Sequence, residues 1–175
     1  IGEGWKMYNG EKGTVGMDQN YMTKTEKVAV FNDEFRDLAK AGGMSEAGQG
    51  FLTGKKVSIP DLFCNCSGKP VHNYSVTKPS SNVQYFACHD GLTLHDSIVN
   101  NIPLDESTEE GKIEAVNRLK LANALLLTSQ GIAFLHAGQE RGRTKTAFTT
   151  AGTDDCETIG NFVKNSYDSS DNINN

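Results

Sequence analysis

The chain has 175 residues, with 17 Lys and Arg against 22 Asp and Glu, a formal net charge of −5, and 37% hydrophobic residues. That is one domain's worth of ordinary globular composition, which argues against disorder. Mild acidity argues against a nucleic-acid binder, which needs clustered Lys and Arg, and the longest aliphatic stretch, Ala124 to Leu127, falls far short of the roughly 20 residues of a membrane span. No basic-then-apolar leader is read at the amino end, and the chain opens at Ile1 as though inside an element.

The first feature in chain order is Gly2-Glu3-Gly4-Trp5. Two glycines let the backbone bend so that the carboxylate projects, and the indole beside it offers a wall or a sugar-stacking face. An acid desolvated by such a wall gains pKa and suits proton donation near neutrality; the plainer alternative is a solvated glutamate at a chain end. Val28–Phe31 then reads as a buried strand. Asn32 and Asp33 cap a helix through Glu34–Lys40, which Gly42-Gly43 stops. From Gly43 to Ser81 the chain is rich in Gly, Ser, Pro and Asn with little periodicity, an unusually long connection of the kind that often carries function. Cys64 and Cys66 stand in this turn-rich stretch as C-x-C; without a second close pair they read as free thiols rather than half a zinc site.

A second strand is expected over Val83–Cys88, interrupted by Gln84, with Cys88 behaving as a small buried hydrophobe. A long helix follows from about Ser107–Glu110 to Thr128. Ile113, Val116 and Leu119 form its apolar face, and the stretch from Leu121 to Leu127, apolar nearly all round, is expected to be buried. Gly131–His136 reads as a third strand; like the first, it is apolar enough to be buried on both faces of a sheet. The order strand, helix, strand, helix, strand implies an α/β fold with parallel pairing. Residues 144–175 are polar and read as a loop or tail.

Each expected strand is followed by a polar pair: Asn32-Asp33, His89-Asp90, and Gln139-Glu140 just beyond His136. In parallel α/β folds the carboxyl ends of the strands form the active face, so these pairs are expected to converge there. Capping, a plain turn at Asp90-Gly91, and a salt bridge from Glu140 to Arg141 or Arg143 are the simpler alternatives.

These residues carry a family resemblance. Gly2-Glu3-Gly4-Trp5, Val28–Asp33 with Phe35-Arg36-Asp37, His89-Asp90 with Leu92–Asp96, Gly131–Glu140 with Arg143-Thr144-Lys145, and Asn165–Asp171 together resemble the type I pullulanases of the alpha-amylase superfamily. The resemblance covers nearly the whole chain, and its last two blocks are the specific ones. It implies part of a (β/α)8 barrel, roughly strands five to eight with long βα loops. Ile1-Gly2 would be the stub of strand five, and residues 1–175 the carboxyl-side part of the catalytic domain.

The activity implied is cleavage of α-1,6 branch linkages in pullulan, starch or glycogen by a retaining two-carboxylate mechanism. The resemblance makes Glu3 the general acid/base and Asp90 the transition-state stabiliser, with His89, Trp5, Tyr167, Asp168 and Asp171 contacting substrate. The nucleophilic Asp would lie upstream, so the chain alone is expected to be inactive and to need the upstream half of the barrel as partner, with an α-glucan as substrate. The sequence departs from the family at Gly91, where Asn is usual, and at Asp168 and Ser170, where Asn and Pro are usual. No cofactor is required; the resemblance allows a structural calcium, but no run of oxygen ligands assigns one, and no metal ligands are expected. An isoamylase-like or amylopullulanase relative is the rival within the enzyme class, and a non-catalytic α/β carbohydrate-binding module the rival outside it. A secreted or cell-bound bacterial parent is compatible with the resemblance, and nothing in these residues fixes the location.

Overall fold

The computed structural model describes residues 1–6, 12–13, 16–40, 43–146 and 157–165. Among these the elements are β1 (Val30–Phe31), α1 (Asp33–Lys40), α2 (Ile59–Cys66), β2 (Asn82–Gln84), α3 (Leu94–Asn101), α4 (Glu109–Thr128), β3 (Ile132–Ala133), β4 (Glu157–Ile159) and β5 (Phe162–Asn165), with short 3₁₀ segments before β1 and in some of the connections. β1, β2 and β3 form a parallel sheet in chain order, with Phe31 opposite Val83 and Val83 opposite Ile132. Gly2 extends that order on the outer side of β1 through a parallel bridge to Val30. β4 and β5 form a separate antiparallel hairpin. No helix among the described residues is long and apolar enough to cross a membrane.

Local chemistry explains the helix starts. Asn32 Oδ1 accepts from the Phe35 amide at 3.1 Å, so Asn32 is the cap of α1. Thr108 and Thr93 cap α4 and α3 in the same way, accepting from the Gly111 and Asp96 amides. Ser58 caps α2, whose first turn accommodates Pro60 because that position needs no amide donor. Thus the stretch expected to be an aperiodic connection holds a helix, and Cys64 and Cys66 lie in its last turn rather than in a loop. Cys64, Cys66 and Cys88 are free thiols, all half-buried, so Cys88 is only partly the small buried hydrophobe expected of it.

The helices α1 to α4 and the chain after β2 enclose an apolar core of Phe35, Leu52, Phe86, Leu94, Ile98 and Leu126 with their neighbours. Phe35 and Phe86 meet with ring centroids 4.9 Å apart, and each buried ring of this size contributes about 1.5–3 kcal/mol. α4 turns toward this core the stripe Gly111, Ala115, Leu119, Ala122, Leu126, which follows helical spacing. The expected apolar face is corrected here: Leu119 is buried, but Ile113 and Val116 are not, Ile113 being 52% exposed. Nor is the end of the helix buried all round, since Leu121 and Leu127 face outward, Leu127 at 61%. The small residues Gly111, Ala115 and Ala122 allow close approach to the neighbouring elements, and that approach outweighs side-chain size in choosing the face. Likewise β3 is not covered on both faces. It is the edge of the described sheet, and Ile132 and Leu135 are exposed.

Polar groups under the sheet are satisfied by one another. Gln84, which interrupts the apolar pattern of its strand, is fully buried; its amide donates to the carbonyls of Asn65 and Gln130, and its oxygen accepts from Asn32. Asn65 donates to Glu34, whose carboxylate also accepts from the backbone amides of Val71, His72 and Asn73, each at 2.8 Å. Residues 144–175, read as loop or tail, contain the β4–β5 hairpin, to which Thr146 adds a bridge at Phe162.

Candidate active site

The parallel pairing brings the ends of separate elements to one cavity of about 520 Å³ at the carboxyl end of the sheet. Its lining includes Glu3 and Trp5 from the amino-terminal stub, Phe31 and Asp33 from the end of β1, Arg36 from α1, and Tyr85 from beyond β2. His89 and Asp90 line it too, as do Lys164 and Asn165 of the hairpin. The size is that of a ligand site, and the mixture of aromatic rings with a few polar groups suits a sugar.

The bend at Glu3 is built by Gly4, with φ +82°, where a Cβ would lie 3.0 Å from Val30 Cβ and 2.9 Å from Gln19 Cγ. A side chain at position 4 would be strained and crowded, so this glycine is what lets Glu3 and Trp5 sit over β1. Glu3 is exposed, and Trp5 is 41% exposed, so the wall expected beside the glutamate is not formed by the described residues. The indole is instead an open face.

On the floor, Phe31 meets Tyr85 edge-on at 4.8 Å and Phe134 at 5.3 Å. Arg36 donates to the Tyr85 hydroxyl and to Asp37, both at 2.7 Å. Burial would weaken the Arg36 charge, but the hydrogen bond to Asp37 and the nearby Asp33 carboxylate outweigh it and raise its pKa. Burial pushes the Tyr85 phenol well above its usual range, which keeps the hydroxyl a donor. Lys40 and Glu46 form a buried ion pair of 2.8 Å in the same wall.

His89 Nε2 and Asp90 Oδ2 are 3.5 Å apart on a turn that keeps both side chains exposed to the cavity. Cys88, His89 and Asp90 bring one ligand atom each within 4.8 Å of one another, so these three could hold a metal ion, although none was expected. Burial raises the Cys88 thiol, which works against a thiolate ligand. Of the three polar pairs expected to converge, two do so through Asp33 and His89-Asp90. The third does not: Gln139 is buried and donates to Asn123 of α4, away from the cavity. Tyr167, Asp168 and Asp171 lie outside the described residues. Cavity residues not anticipated as site residues include Arg36, Tyr85, Lys164 and Asn165. Position could have found Tyr85, Lys164 and Asn165, which lie at or just beyond the carboxyl end of a strand, whereas Arg36 lies inside α1 and carries no such signal.

No protein-family model matches the chain. Pullulanase A of Streptococcus pneumoniae serotype 4 is 38% identical over 195 residues, covering 99% of this chain and 15% of that protein. The pullulanase of Bacillus subtilis strain 168 is 31% identical over 150 residues, covering 84% of this chain and 18% of that protein. Among solved structures, the catalytic module of the multi-modular glycogen-degrading pneumococcal virulence factor SpuA, in complex with an inhibitor, superposes with a TM-score of 0.86 at 37% identity, covering 98% of this chain and 27% of that one. The Group B Streptococcus pullulanase SAP, in complex with maltotetraose, does so with a TM-score of 0.85 at 37% identity, covering 98% of this chain and 24% of that one. The chain therefore spans less than a fifth of the curated relatives it matches, but the match to Pullulanase A covers 99% of the chain, and the chain belongs to the pullulanase family.

Proposed function

We propose that this chain is the carboxyl-side part of a pullulanase-type (β/α)8 catalytic domain, and that the whole protein hydrolyses α-1,6 glucosidic linkages in pullulan, starch or glycogen with retention of configuration. The observation that carries the reading is the meeting of Glu3, Trp5, His89 and Asp90, from two distant segments, on one cavity at the carboxyl end of parallel strands. Two further features support the barrel. The strands follow one another in chain order, with Gly2 next to β1, without the reversal that marks a doubly wound sheet. The exposed edge at β3 and the outward Ile113, Val116 and Leu127 are surfaces that the remaining strands and helices of a barrel would cover.

In this reading Glu3 protonates the leaving glycosidic oxygen and then takes the proton from the attacking water. Asp90 and His89 grip hydroxyls of the ring at the cleavage point, with hydrogen bonds that strengthen as the ring flattens. Trp5 supplies a stacking face, and Tyr167, Asp168 and Asp171 supply further sugar contacts. The nucleophilic carboxylate comes from upstream, about 5–5.5 Å from the acid, so the chain alone does not turn over. No cofactor is needed, and no residue here is assigned to calcium. The solved relatives bound to maltotetraose and to a product support an α-glucan as the ligand class.

The test compares pullulan hydrolysis by the 175-residue chain with that of a form extended upstream through strands one to four. Activity is expected only in the extended form, and robust turnover by the short chain overturns the reading. Within the extended form, Glu3→Gln should lower kcat by about 10²–10⁴ on pullulan. A glucosyl fluoride, whose leaving group needs no proton, should lose far less in the glycosylation step. Equal losses on both substrates would remove Glu3 from the acid role.

A further inference from the structure

We propose that the β4–β5 hairpin, together with Lys145 beside it, positions the His89-Asp90 turn through the two main-chain groups of Gly91, with Asn165 and Lys145 as the positioning residues. The inference rests on the glucan-cleaving reading for its effect on turnover, but its geometry stands apart from that reading.

Gly91 follows Asp90 directly and is buried, with φ +78°. Lacking a side chain, it leaves the backbone beside Asp90 soft unless something else restrains it. Both of its hydrogen-bonding groups are taken by the region after β3. Its amide donates to Asn165 Oδ1 at 2.9 Å, and its carbonyl accepts from Lys145 Nζ at 3.0 Å. The first bond holds the peptide plane that begins at the Asp90 carbonyl, which restrains the Asp90 ψ angle and hence the direction of the Cα–Cβ bond that carries its carboxylate. The second holds the next peptide plane.

Each holding group is itself held. Asn165 Nδ2 donates to Glu157 Oε2 at 3.0 Å, so only one orientation of the Asn165 amide satisfies both partners. Lys164 Nζ fixes the other oxygen of Glu157 at 2.8 Å. Lys145 is buried, and its ammonium donates also to the Lys164 carbonyl at 2.9 Å, so one charge ties the turn to β5. The Lys145 amide and the Thr144 hydroxyl donate to the fully buried carboxylate of Asp96, at 2.8 and 2.5 Å. The Val163 amide donates to the Lys145 carbonyl at 2.8 Å. The turn that presents Asp90 is thus bolted to a hairpin some 70 residues later in the chain, and that hairpin also supplies Lys164 and Asn165 to the cavity wall.

The experiment uses the whole protein of the proposed reading and reads two quantities: amide hydrogen exchange at Gly91 and Leu92, and kcat against KM on pullulan. Asn165→Ala removes the acceptor; exchange at Gly91 should rise at least tenfold, and kcat should fall by about 10–10², the scale of a small misplacement at a reacting centre, with KM within about twofold. The pair Asn165→Asp with Glu157→Gln reverses which partner donates and keeps an oxygen for the Gly91 amide, so it should restore both quantities. Lys145→Met is expected to act in the same direction as Asn165→Ala. Unchanged exchange in Asn165→Ala overturns the proposal. So does a pair variant that recovers thermal stability without recovering exchange and kcat, because that is the behaviour of a merely structural contact. If the unaltered protein cleaves no α-glucan, the proposed function fails, and the exchange measurement still decides the clamp.

Discussion

Replacing Glu34 by Gln exchanges one of two carboxylate oxygens for an amide group in a site built only for acceptors. Oε1 accepts from Asn65 Nδ2 at 2.7 Å and from the Val71 amide at 2.8 Å. Oε2 accepts from the His72 and Asn73 amides at 2.8 Å each. Whichever way the Gln amide turns, its NH₂ faces two N–H donors and accepts from neither. Two hydrogen bonds to a charged group are lost, each worth about 1.5–3 kcal/mol, and the surviving pair loses its charge assistance. Water can reach part of the 71–73 loop, whose backbone runs near the surface, so the expected cost is about 2–4 kcal/mol at pH 7.

The pH dependence is a second readout of the same substitution. Burial raises the Glu34 pKa, but the hydrogen bonds from Asn65, Asn73, Val71 and His72 outweigh it and hold the carboxyl below its ordinary 4.5. The unfolded chain therefore binds the proton more readily than the folded one. The stabilisation is full above the unfolded value and is lost as pH falls through the lowered folded value. Urea unfolding followed by circular dichroism, at neutral pH and at steps below pH 4.5, measures both effects. A loss below about 0.5 kcal/mol at pH 7, or a gap between the two proteins that does not narrow on acidification, refutes the reasoning.

The remaining predictions concern the cavity and its supports. Burial lowers the His95 pKa, but hydrogen bonds to Asp96 and Glu106 outweigh it and raise the imidazole above 6.5. His95→Gln should therefore destabilise most below about pH 6.5, with the difference fading as pH rises through the raised folded value; a constant difference from pH 5.5 to 9 in urea midpoints counts against it. In Gly91→Ala the new Cβ would meet Glu46 Oε1 at 2.1 Å at a φ of +78°, straining the backbone and crowding a buried carboxylate whose other oxygen pairs with Lys40. The cost should be about 1–3 kcal/mol, and a thermal midpoint equal to that of the unaltered protein would refute the crowding. Trp5→Ala removes an open stacking face without emptying the core, so affinity for maltotetraose should fall about tenfold while the thermal midpoint moves little. Unchanged affinity in calorimetry would take Trp5 out of the sugar site.

Elements whose signals are local are legible in the amino-acid order alone. Asn32 as a cap and α4 from its Thr108 cap to Thr128 depend on side chains within one turn of the element's end, and a run of near-neighbours carries that information. The parallel order of the strands follows from the alternation of strand and helix. The short helices α2 and α3 are not anticipated, although Thr93 with Asp96 and Ser58 with Asp61 are capping pairs. Eight residues hold too few turns for the apolar period alone to stand out, and α1, equally short, is marked instead by its Asn32-Asp33 cap and the Gly42-Gly43 stop. Within the site, the motifs name Glu3, Trp5, His89 and Asp90 as candidates, and the fold brings all four to one cavity.

By itself the sequence determined an α/β chain with parallel strands, the caps of its main helices, and the family to which its motifs point. Each of these is written in spacings of a few residues or in short blocks of fixed order. Tertiary structure decided which face of α4 is inside, because a helix apolar on several sides is turned by what packs against it, and small residues win where close approach is required. It decided that Gln84 is a fully buried hub, because the partners of that amide come from Asn32, Asn65 and Gln130, far apart in the chain. It decided as well that Gly91 is held from both sides by Lys145 and Asn165. A contact between residues so distant in sequence leaves no local pattern, and only the folded chain brings its two ends together.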